Sequence, residues 1–229
     1  MKRATLEAWI EARRARRPIV MLTWLESGRQ RLVQDPDALE SKALAEAARQ
    51  ALATDRATSL QIGSETVFVQ PDNPRVRLFI VGAVHVAQHL TALAIRLEAD
   101  VTVIDPRTAF ASPARFPGVE LSHDWPDVAL DAHSLDARSA VVTLSHDPKL
   151  DDPALDRALR SDAFYIGALG SRRTQASRRD RLRSLGFGAE AIDRVHGPVG
   201  LDLGARSPAE IALSIAAEMI GLLRGRSLR

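Results

Sequence analysis

The sequence predicts an α/β protein in which a Rossmann-like parallel-sheet domain follows a smaller α/β domain. From residue 78 onward, short apolar runs alternate with helical patterns, which is typical of a parallel sheet covered by helices. The apolar run 77–81 breaks at Gly82 and passes directly into a helical pattern. A second apolar run ends at Asp105, 23 residues beyond Gly82. A strand, a tight turn, a helix and a second strand ending in an acid are the layout of a βαβ dinucleotide-binding unit.

Residues 1–72 are predicted to form the small domain. Its expected elements are a helix over 3–16, a strand over 19–25, a helix over 35–52 and two strands over 59–69. Asp35 and Pro36 predict an N-cap and a first helical position. The segment Pro71-Asp72-Asn73-Pro74 predicts a linker, so that the second domain covers residues 76–229.

The second domain is predicted to alternate strands with helices. After Asp105 we expect strands over 119–121, 139–144 and 163–166, and helices over 152–160, 172–184 and from 207 onward. Asp152 and Pro153 predict one helix start. Ser207 and Glu210 predict another, because together they form a capping box.

The composition excludes several classes of protein. The 229 residues contain no cysteine, so disulfides, thiolate metal sites and a cysteine nucleophile are excluded. No apolar run approaches the roughly 20 residues of a membrane helix. The charged N-terminus does not resemble a signal peptide, so we expect a cytoplasmic protein with no membrane partner. The formal net charge is only +2, and no nucleic-acid partner is predicted.

The carboxyl ends of the predicted strands define the expected binding edge, because open parallel sheets bind ligands there. Segments 82–85, 105–107, 143–147 and 167–173 are expected to converge on it. Asp105 is placed to contact a ribose diol, and His85 to face a phosphate from a helix start. One interpretation of His146 is a general acid, a general base or a metal ligand, whose tautomer Asp147, Asp151 and Asp152 could hold. The alternative is that His146 is part of a polar turn.

The segment from Gly167 through Gly170 and Ser171 to Arg172 and Arg173 predicts an anion site. It joins a strand to a helix N-terminus, where free backbone N–H groups and the helix dipole favour an anion. Arginine in a first turn opposes the dipole unless an anion is present. The alternative is a tight turn with an ordinary serine cap. The later arginines of this helix are expected to form an exposed face: Arg178, Arg179, Arg181 and Arg183.

The glycine motif departs from the dinucleotide-binding pattern at one position. G-x-G-x-x-G/A reads here as Gly82-Ala83-Val84-His85-Val86-Ala87, so Val84 replaces the glycine that lets a pyrophosphate approach the backbone. This substitution makes NAD(P) a weaker candidate ligand. His85 and His89 have a metal-compatible spacing but no third ligand nearby, so no metal site is predicted.

Several motifs together resemble the XdhC/CoxI family, over nearly all of residues 78–220. They include Gly167-Ala168-Leu169-Gly170-Ser171-Arg172-Arg173-Thr174, Arg181-Leu182-x-x-Leu185-Gly186-Phe187 and Pro198-x-Gly200-Leu201-Asp202-Leu203-Gly204-Ala205-Arg206-x-Pro208-x-Glu210-Ile211-Ala212. They also include Asp105-x-Arg107-x-x-Phe110-Ala111, Arg115-Phe116-Pro117 and Thr143-x-x-His146-Asp147-x-x-Leu150-Asp151.

The resemblance implies a non-catalytic accessory protein of xanthine dehydrogenase or a related molybdenum hydroxylase. Such a protein binds the molybdenum cofactor, as molybdopterin or its dinucleotide form, protects it during sulfuration and delivers it to the apo-enzyme. A homodimer is implied, with a cysteine desulfurase as a further candidate partner. The positions carried over as cofactor-binding are Gly82, His85, Asp105, Arg107, His146, Asp147, Gly167, Gly170, Ser171, Arg172, Arg173, Asp202 and Arg206.

The sequence also departs from the family pattern. Val84 stands where the family usually has glycine, and the N-terminal domain has only Ser27-Gly28-Arg29 in place of Gly-Ser-x-Pro-Arg. The family's Gly-Gly-Cys is absent, so sulfur relay through a thiol of this chain is excluded. Two alternatives stay open: an NAD(P)-dependent oxidoreductase, and a ligand-free paralogue that binds the target enzyme as a scaffold.

Overall fold

The computed structural model describes residues 2–226. The chain divides into two compact units, Met1–Pro74 and Arg75–Arg229. Each unit has a hydrophobic core of its own. No helix in the described part of the chain is both long and apolar enough to cross a membrane.

The first unit is built on an antiparallel sheet with the strand order β2-β1-β4-β3. Its elements are α1 (Arg3–Arg14), β1 (Ile19–Trp24), β2 (Gln30–Val33), α2 (Lys42–Thr54), β3 (Thr58–Ile62) and β4 (Glu65–Asp72). The apolar face of α2, which includes Leu44 and Ala48, is buried in a core shared with the inward side chains of β1 and β4. The small α/β unit that the sequence predicts is therefore present, with β2 as an additional strand.

Two boundaries in the first unit differ from those predicted. Asp35 and Pro36 open only a short 3-10 turn, because the chain becomes extended at Leu39, and α2 begins after a new cap at Ser41. The predicted linker is partly strand. β4 continues through Pro71, which pairs with Val20 of β1.

The second unit contains a parallel sheet with the strand order β10-β9-β8-β5-β6-β7. The strands are β5 (Arg77–Val81), β6 (Asp100–Ile104), β7 (Glu120–Ser122), β8 (Ser139–Thr143), β9 (Tyr165–Ala168) and β10 (Val195–His196). Each neighbouring pair is parallel. The predicted Rossmann-like α/β class is confirmed.

Helices cover both faces of this sheet. They are α3 (His85–Arg96), α4 (Pro126–His133), α5 (Pro148–Leu159), α6 (Arg172–Ser184), α7 (Ala189–Asp193) and α8 (Pro208–Leu223). Successive side chains of a strand point to opposite faces. Accordingly, Leu78 and Ile80 of β5 join the core beneath α3 and α8, whereas Phe79 and Val81 join the core beneath α5.

One predicted helix start is wrong and another is confirmed. Asp152 does not cap α5. It lies inside that helix, which begins after a cap five residues earlier, where the Asp147 carboxylate accepts the backbone N–H of Lys149 at 2.9 Å. The motif Asp-Pro occurs at both places, and the first occurrence starts the helix. At α8, Ser207 and Glu210 form the predicted capping box.

Candidate functional site

The parallel strands of the second unit place their carboxyl ends at one edge of the sheet, here called the carboxyl edge. The chain leaves β5 toward β6 and leaves β8 toward β9, so the ends of β5 and β8 form the topological switch point. Open α/β sheets bind ligands at such a point. The loops after β5, β6, β8 and β9 lie at this edge, and the loop after β10 joins them.

Gly82 brings two of these loops into contact at the switch point. Its φ is +100°, and a Cβ at this position would lie 2.7 Å from the backbone nitrogen of Ser145. A side chain would therefore collide with backbone. Gly82 permits the loop after β5 to pack against the loop after β8. The group that comes close to this glycine is therefore the Ser145 backbone of the protein, and not a ligand.

Asp105 is fully buried, and its carboxylate binds other groups of the protein. Oδ2 accepts the Ala83 backbone N–H at 2.8 Å and Arg107 Nη2 at 2.8 Å, while Oδ1 accepts the Arg107 backbone N–H at 3.0 Å and Nε at 2.8 Å. Burial opposes ionisation, but these hydrogen bonds outweigh it and hold the pKa of Asp105 below its ordinary value. Since a carboxylate has about four acceptor positions, Asp105 is saturated and lacks the free oxygen that the expected ribose contact needs.

The remaining predicted residues at the switch point are exposed or partly exposed. The Arg107 guanidinium, held by Asp105, lies 4.6 Å from the ring centroid of Phe110. His85 and His146 are both exposed, and His146 has a φ of +61°. Asp147 serves as the cap of α5, as expected for the alternative in which His146 belongs to a polar turn.

Arg178 is buried, although the sequence predicts it on an exposed face. Its Nη2 lies 3.4 Å from Asp151 Oδ2, and both side chains are 2% exposed. Arg178 also donates to Gln175 Oε1 at 2.6 Å and to the Leu169 carbonyl at 3.0 Å, while Asp151 accepts Ser145 Oγ at 2.6 Å. Burial raises the pKa of Asp151. This pair ties the loop after β8 to the loop after β9, beneath the carboxyl edge.

The start of α6 follows the predicted anion-site segment. Gly170 has a φ of +143°, and Ser171 caps the helix by accepting the Thr174 backbone N–H at 3.2 Å. Arg172 and Arg173 occupy the first turn, and both are exposed. Within residues 2–226 neither guanidinium has a hydrogen-bond or ion-pair partner. The first-turn cations are therefore available to an external anion.

A cleft of about 590 Å³ opens between the start of α6, the segment 197–205 and α8, and we call it the α6–α8 cleft. Arg172 and Asp202 both line it, and Asp202 is exposed with no partner in the described chain. Its lining comprises Leu169, Arg172, Gly197, Pro198, Val199, Gly200, Leu201, Asp202, Leu203, Gly204, Ala205, Ile211, Ser214 and Glu218. Charged groups thus stand beside an apolar wall.

Glu218 fixes one wall of the cleft. It is 2% exposed and accepts hydrogen bonds from Tyr165 Oη at 2.7 Å, His196 Nδ1 at 3.1 Å and the Gly200 backbone N–H at 2.8 Å. Burial alone would raise the pKa of Glu218, but the hydrogen bonds from His196, Tyr165 and Gly200 outweigh it and lower the pKa to about 2. Glu218 is therefore an ionised anchor for the loop after β10.

Sequence reasoning missed Glu218 and its partners, although a signal was present. Glu218 is the one acid between Ile211 and Leu223, in an otherwise apolar helical run. A charge on the buried face of a helix needs partners from neighbouring elements. The partners Tyr165 and His196 come from two separate strands, and nothing in the sequence links them to Glu218.

Of the thirteen predicted site residues only Arg172 and Asp202 line the cleft, and Gly167, Arg173 and Arg206 are among those that do not. Gly167 lies within β9, where an added Cβ would come 2.5 Å from Val199 Cγ2, so this glycine serves packing. The Arg206 backbone N–H donates to Glu210 Oε2 at 2.7 Å and so contributes to the start of α8. In the described residues, no group of three or more His, Cys, Asp or Glu side chains is placed to hold a metal ion.

The chain is similar to proteins connected by name with molybdenum enzymes. It is 33% identical over 146 residues to the molybdenum cofactor insertion chaperone PaoD of Escherichia coli (strain K12), and the match covers 64% of this chain and 40% of that protein. It is 32% identical over 155 residues to a Bacillus subtilis (strain 168) protein named as a probable xanthine dehydrogenase subunit, covering 67% and 45%. The chain spans less than half the length of the curated relatives it matches.

The fold is also that of a solved structure. A crystal structure described as a xanthine dehydrogenase from Bacillus halodurans superimposes with a TM-score of 0.71 and 24% identity, covering 98% of this chain and 65% of that one. Residues 78–219 match the family model described as the XdhC Rossmann domain, which is more than half of the chain. The resemblance read from the motifs is thereby confirmed, and the chain belongs to the XdhC family.

Proposed function

We propose that this chain binds the molybdenum cofactor at the carboxyl edge of its parallel sheet and passes it to the apo-form of a molybdenum hydroxylase. The names of two relatives support this role, since one is a molybdenum cofactor insertion chaperone and the other is a probable xanthine dehydrogenase subunit. The bound cofactor would supply the redox chemistry of the recipient enzyme. The residues of this chain would hold it and shield it.

The observation that carries the proposal is the α6–α8 cleft with Arg172 at its wall. The molybdenum cofactor contains a pterin and a phosphate, so it needs a cation beside a surface that accepts a ring. Arg172 is such a cation, because it has no acceptor in the described chain and occupies a helix start that favours anions. The cleft volume of about 590 Å³ lies within the range of small-ligand sites.

Assistance with sulfuration is the second part of the proposal. The sequence contains no cysteine, so sulfur must reach a bound cofactor from another protein, for which a cysteine desulfurase is the proposed partner. A homodimer is proposed as the working assembly.

An NAD(P)-dependent oxidoreductase is the less favoured function. Val84 occupies the N-cap position of α3 and packs against the core, at the point where a pyrophosphate would approach a glycine. Asp105, the expected ribose ligand, is saturated by Ala83 and Arg107. The valine side chain and the filled acceptor positions of Asp105 thus both argue against binding of a dinucleotide.

The proposal is tested by retention of the cofactor. Purified protein mixed with molybdenum cofactor should elute from gel filtration together with molybdenum and pterin in near-equal molar amounts, the pterin being measured by its fluorescence. Arg172→Ala should retain several-fold less, whereas Arg183→Ala, on the last turn of the same helix and paired with Asp180, should retain as much as the wild type. Absence of cofactor from the wild-type peak would refute the proposal.

A further inference from the structure

The α6–α8 cleft carries two opposite charges that do not neutralise each other. Arg172 and Asp202 both line it, both are exposed, and in the described chain neither forms an ion pair with the other or with a third residue. Because the two side chains are not paired, the Arg172 guanidinium can donate to an anionic group of a ligand and the Asp202 carboxylate can accept from N–H groups of the same ligand. A ligand that fits has both an anionic group and N–H donors.

The same cleft has an apolar wall. Leu169, Val199, Leu201, Leu203 and Ile211 all line the cleft. Small-ligand sites combine such a surface with a few polar groups that fix the orientation of the ligand. A flat heterocycle would lie against this wall and leave its polar edge and its substituent for the two charged side chains.

The wall is fixed before any ligand arrives. Glu218 holds the Gly200 backbone N–H at 2.8 Å, and the Leu201 backbone N–H donates to the Ser214 carbonyl at 3.2 Å. A Cβ at Gly200 would lie 2.4 Å from Ser214 Oγ, so the loop and α8 are in close contact. A site that is already ordered loses less conformational entropy when it binds.

The chemistry of the two charges selects the ligand. A 2-amino-4-oxo-pyrimidine ring, which is shared by pterins and guanine, presents a ring N–H and an amino group side by side. A carboxylate accepts both hydrogen bonds in a bidentate contact, and a guanidinium donates two parallel hydrogen bonds to the oxygens of a phosphate. Adenine lacks this paired donor edge.

We propose that the α6–α8 cleft is a binding site for a phosphorylated pterin, in which Asp202 accepts the 2-amino-4-oxo edge and Arg172 binds the phosphate. This inference rests on the proposed function and deepens it, because it states which part of the cofactor each residue recognises. The pterin is favoured over a guanine nucleotide because the relative named as a chaperone handles the molybdenum cofactor.

The test uses fluorescent probes of defined structure, 6-hydroxymethylpterin and its monophosphate, with GMP and AMP as competitors. Binding of the two pterins to the full chain is followed by fluorescence anisotropy. Arg172→Ala should weaken the monophosphate about tenfold or more and change the unphosphorylated pterin less than about twofold, since a charge-assisted contact is worth a factor of this size. Asp202→Asn should weaken both pterins by a similar factor.

Matched variants separate these effects from general loss of charge. Asp162→Asn removes an exposed carboxylate outside the cleft lining, and Arg183→Ala removes an exposed guanidinium of the same helix. Both should bind like the wild type. Ala205→Phe should abolish pterin binding, because it adds a ring to the cleft wall, and its thermal unfolding shows whether the fold is intact. GMP should compete more weakly than the pterin monophosphate, and AMP should not compete.

Failure of this inference differs from failure of the proposed function. If wild type, Asp202→Asn and folded Ala205→Phe all retain the molybdenum cofactor equally, the cofactor binds elsewhere and the cleft assignment is wrong while the function stands. If AMP competes as well as GMP, or if GMP binds more tightly than the pterin monophosphate, the assignment of a pterin edge to Asp202 is wrong. If the wild type retains no cofactor, both proposals fall.

Discussion

The carboxylate of Glu218 accepts the backbone N–H of Gly200 at 2.8 Å and so anchors the loop after β10 to the last helix. The same carboxylate accepts Tyr165 of β9 and His196 of β10. One buried charge therefore connects two strand ends and a cleft wall to α8. The cost of burying it is offset by three donors, which explains why its pKa is low despite the burial.

Glu218→Gln should lower the free energy of unfolding by about 1.5–3 kcal/mol at neutral pH, the usual worth of hydrogen bonds to a charged group. The amide has one acceptor oxygen and places an NH₂ group against at least one of the three donors. Urea unfolding at pH 7 measures this loss. Glu190→Gln, an exposed glutamate of α7, should change the free energy of unfolding by less than about 0.5 kcal/mol.

The loss at Glu218 should also depend on pH in a defined direction. The pKa of Glu218 is about 2 in the folded chain against an ordinary 4.5, so the ionised group stabilises the fold above pH 4.5. This contribution is lost as the pH falls toward 2. The difference in unfolding free energy between wild type and Glu218→Gln should therefore shrink between pH 4.5 and pH 2. A constant difference across that range would contradict the ionised anchor.

The sequence predicted the parts of the fold that depend on local patterns. The parallel sheet follows from apolar runs such as that of β5, and the start of α8 follows from Ser207 and Glu210, which lie within one helical turn. The start of α5 was predicted at Asp152-Pro153, which is wrong, because Asp147-Pro148 carries the same local signal five residues earlier. In the structure Asp151 lies in the first turn of the helix and pairs with Arg178, a tertiary contact that the local sequence signal does not contain.

The sequence predicts that the candidate site lies at the carboxyl edge of the parallel sheet, but it does not predict which side chains contact one another there. Topology gathers the loops after the strands at one edge, and the parallel sheet that does so is implied by the alternation of strands and helices. Asp105 shows the limit of this reasoning. Its position after β6 predicts a ribose ligand, but Arg107, two residues later, folds back and fills its acceptor positions. Such pairings are set by side-chain conformation, which the sequence pattern does not specify.

Arg178→Met should destabilise the second unit by about 3–5 kcal/mol, because it leaves the Asp151 carboxylate buried without a counter-charge. The double variant Arg178→Met/Asp151→Asn should lose less than the single variant, since it removes the orphaned charge. Denaturant unfolding of the full chain measures both. Arg179→Met, which breaks a surface pair with Asp193, should cost less than about 1 kcal/mol. A double variant less stable than Arg178→Met would show that the pair is not the source of the loss.

Gly82→Ala should be more destabilising than Gly186→Ala, although both glycines have a left-handed φ, of +100° and +91°. A Cβ at Gly186 has no heavy atom within 4 Å, so that variant carries only backbone strain. A Cβ at Gly82 would come 2.7 Å from Ser145, and the two loops would have to separate. We expect Gly82→Ala to lower the free energy of unfolding of the second unit by about 1–3 kcal/mol more than Gly186→Ala does, as measured by thermal unfolding. If both variants lose the same free energy of unfolding, the two loops can move apart at Gly82 without destabilising the fold.

Val84→Gly should not confer NAD binding, although it restores the glycine of the dinucleotide motif. The ribose contact would still be missing, because the Asp105 carboxylate accepts two side-chain hydrogen bonds from Arg107 at 2.8 Å. Equilibrium dialysis with millimolar NAD should show no saturable binding by wild type or by Val84→Gly. The double variant Val84→Gly/Arg107→Ala frees acceptor positions of Asp105, and it is the variant in which weak binding should first appear. Saturable binding by Val84→Gly alone would show that the valine closes the crevice and that the Arg107 contact gives way to a ligand.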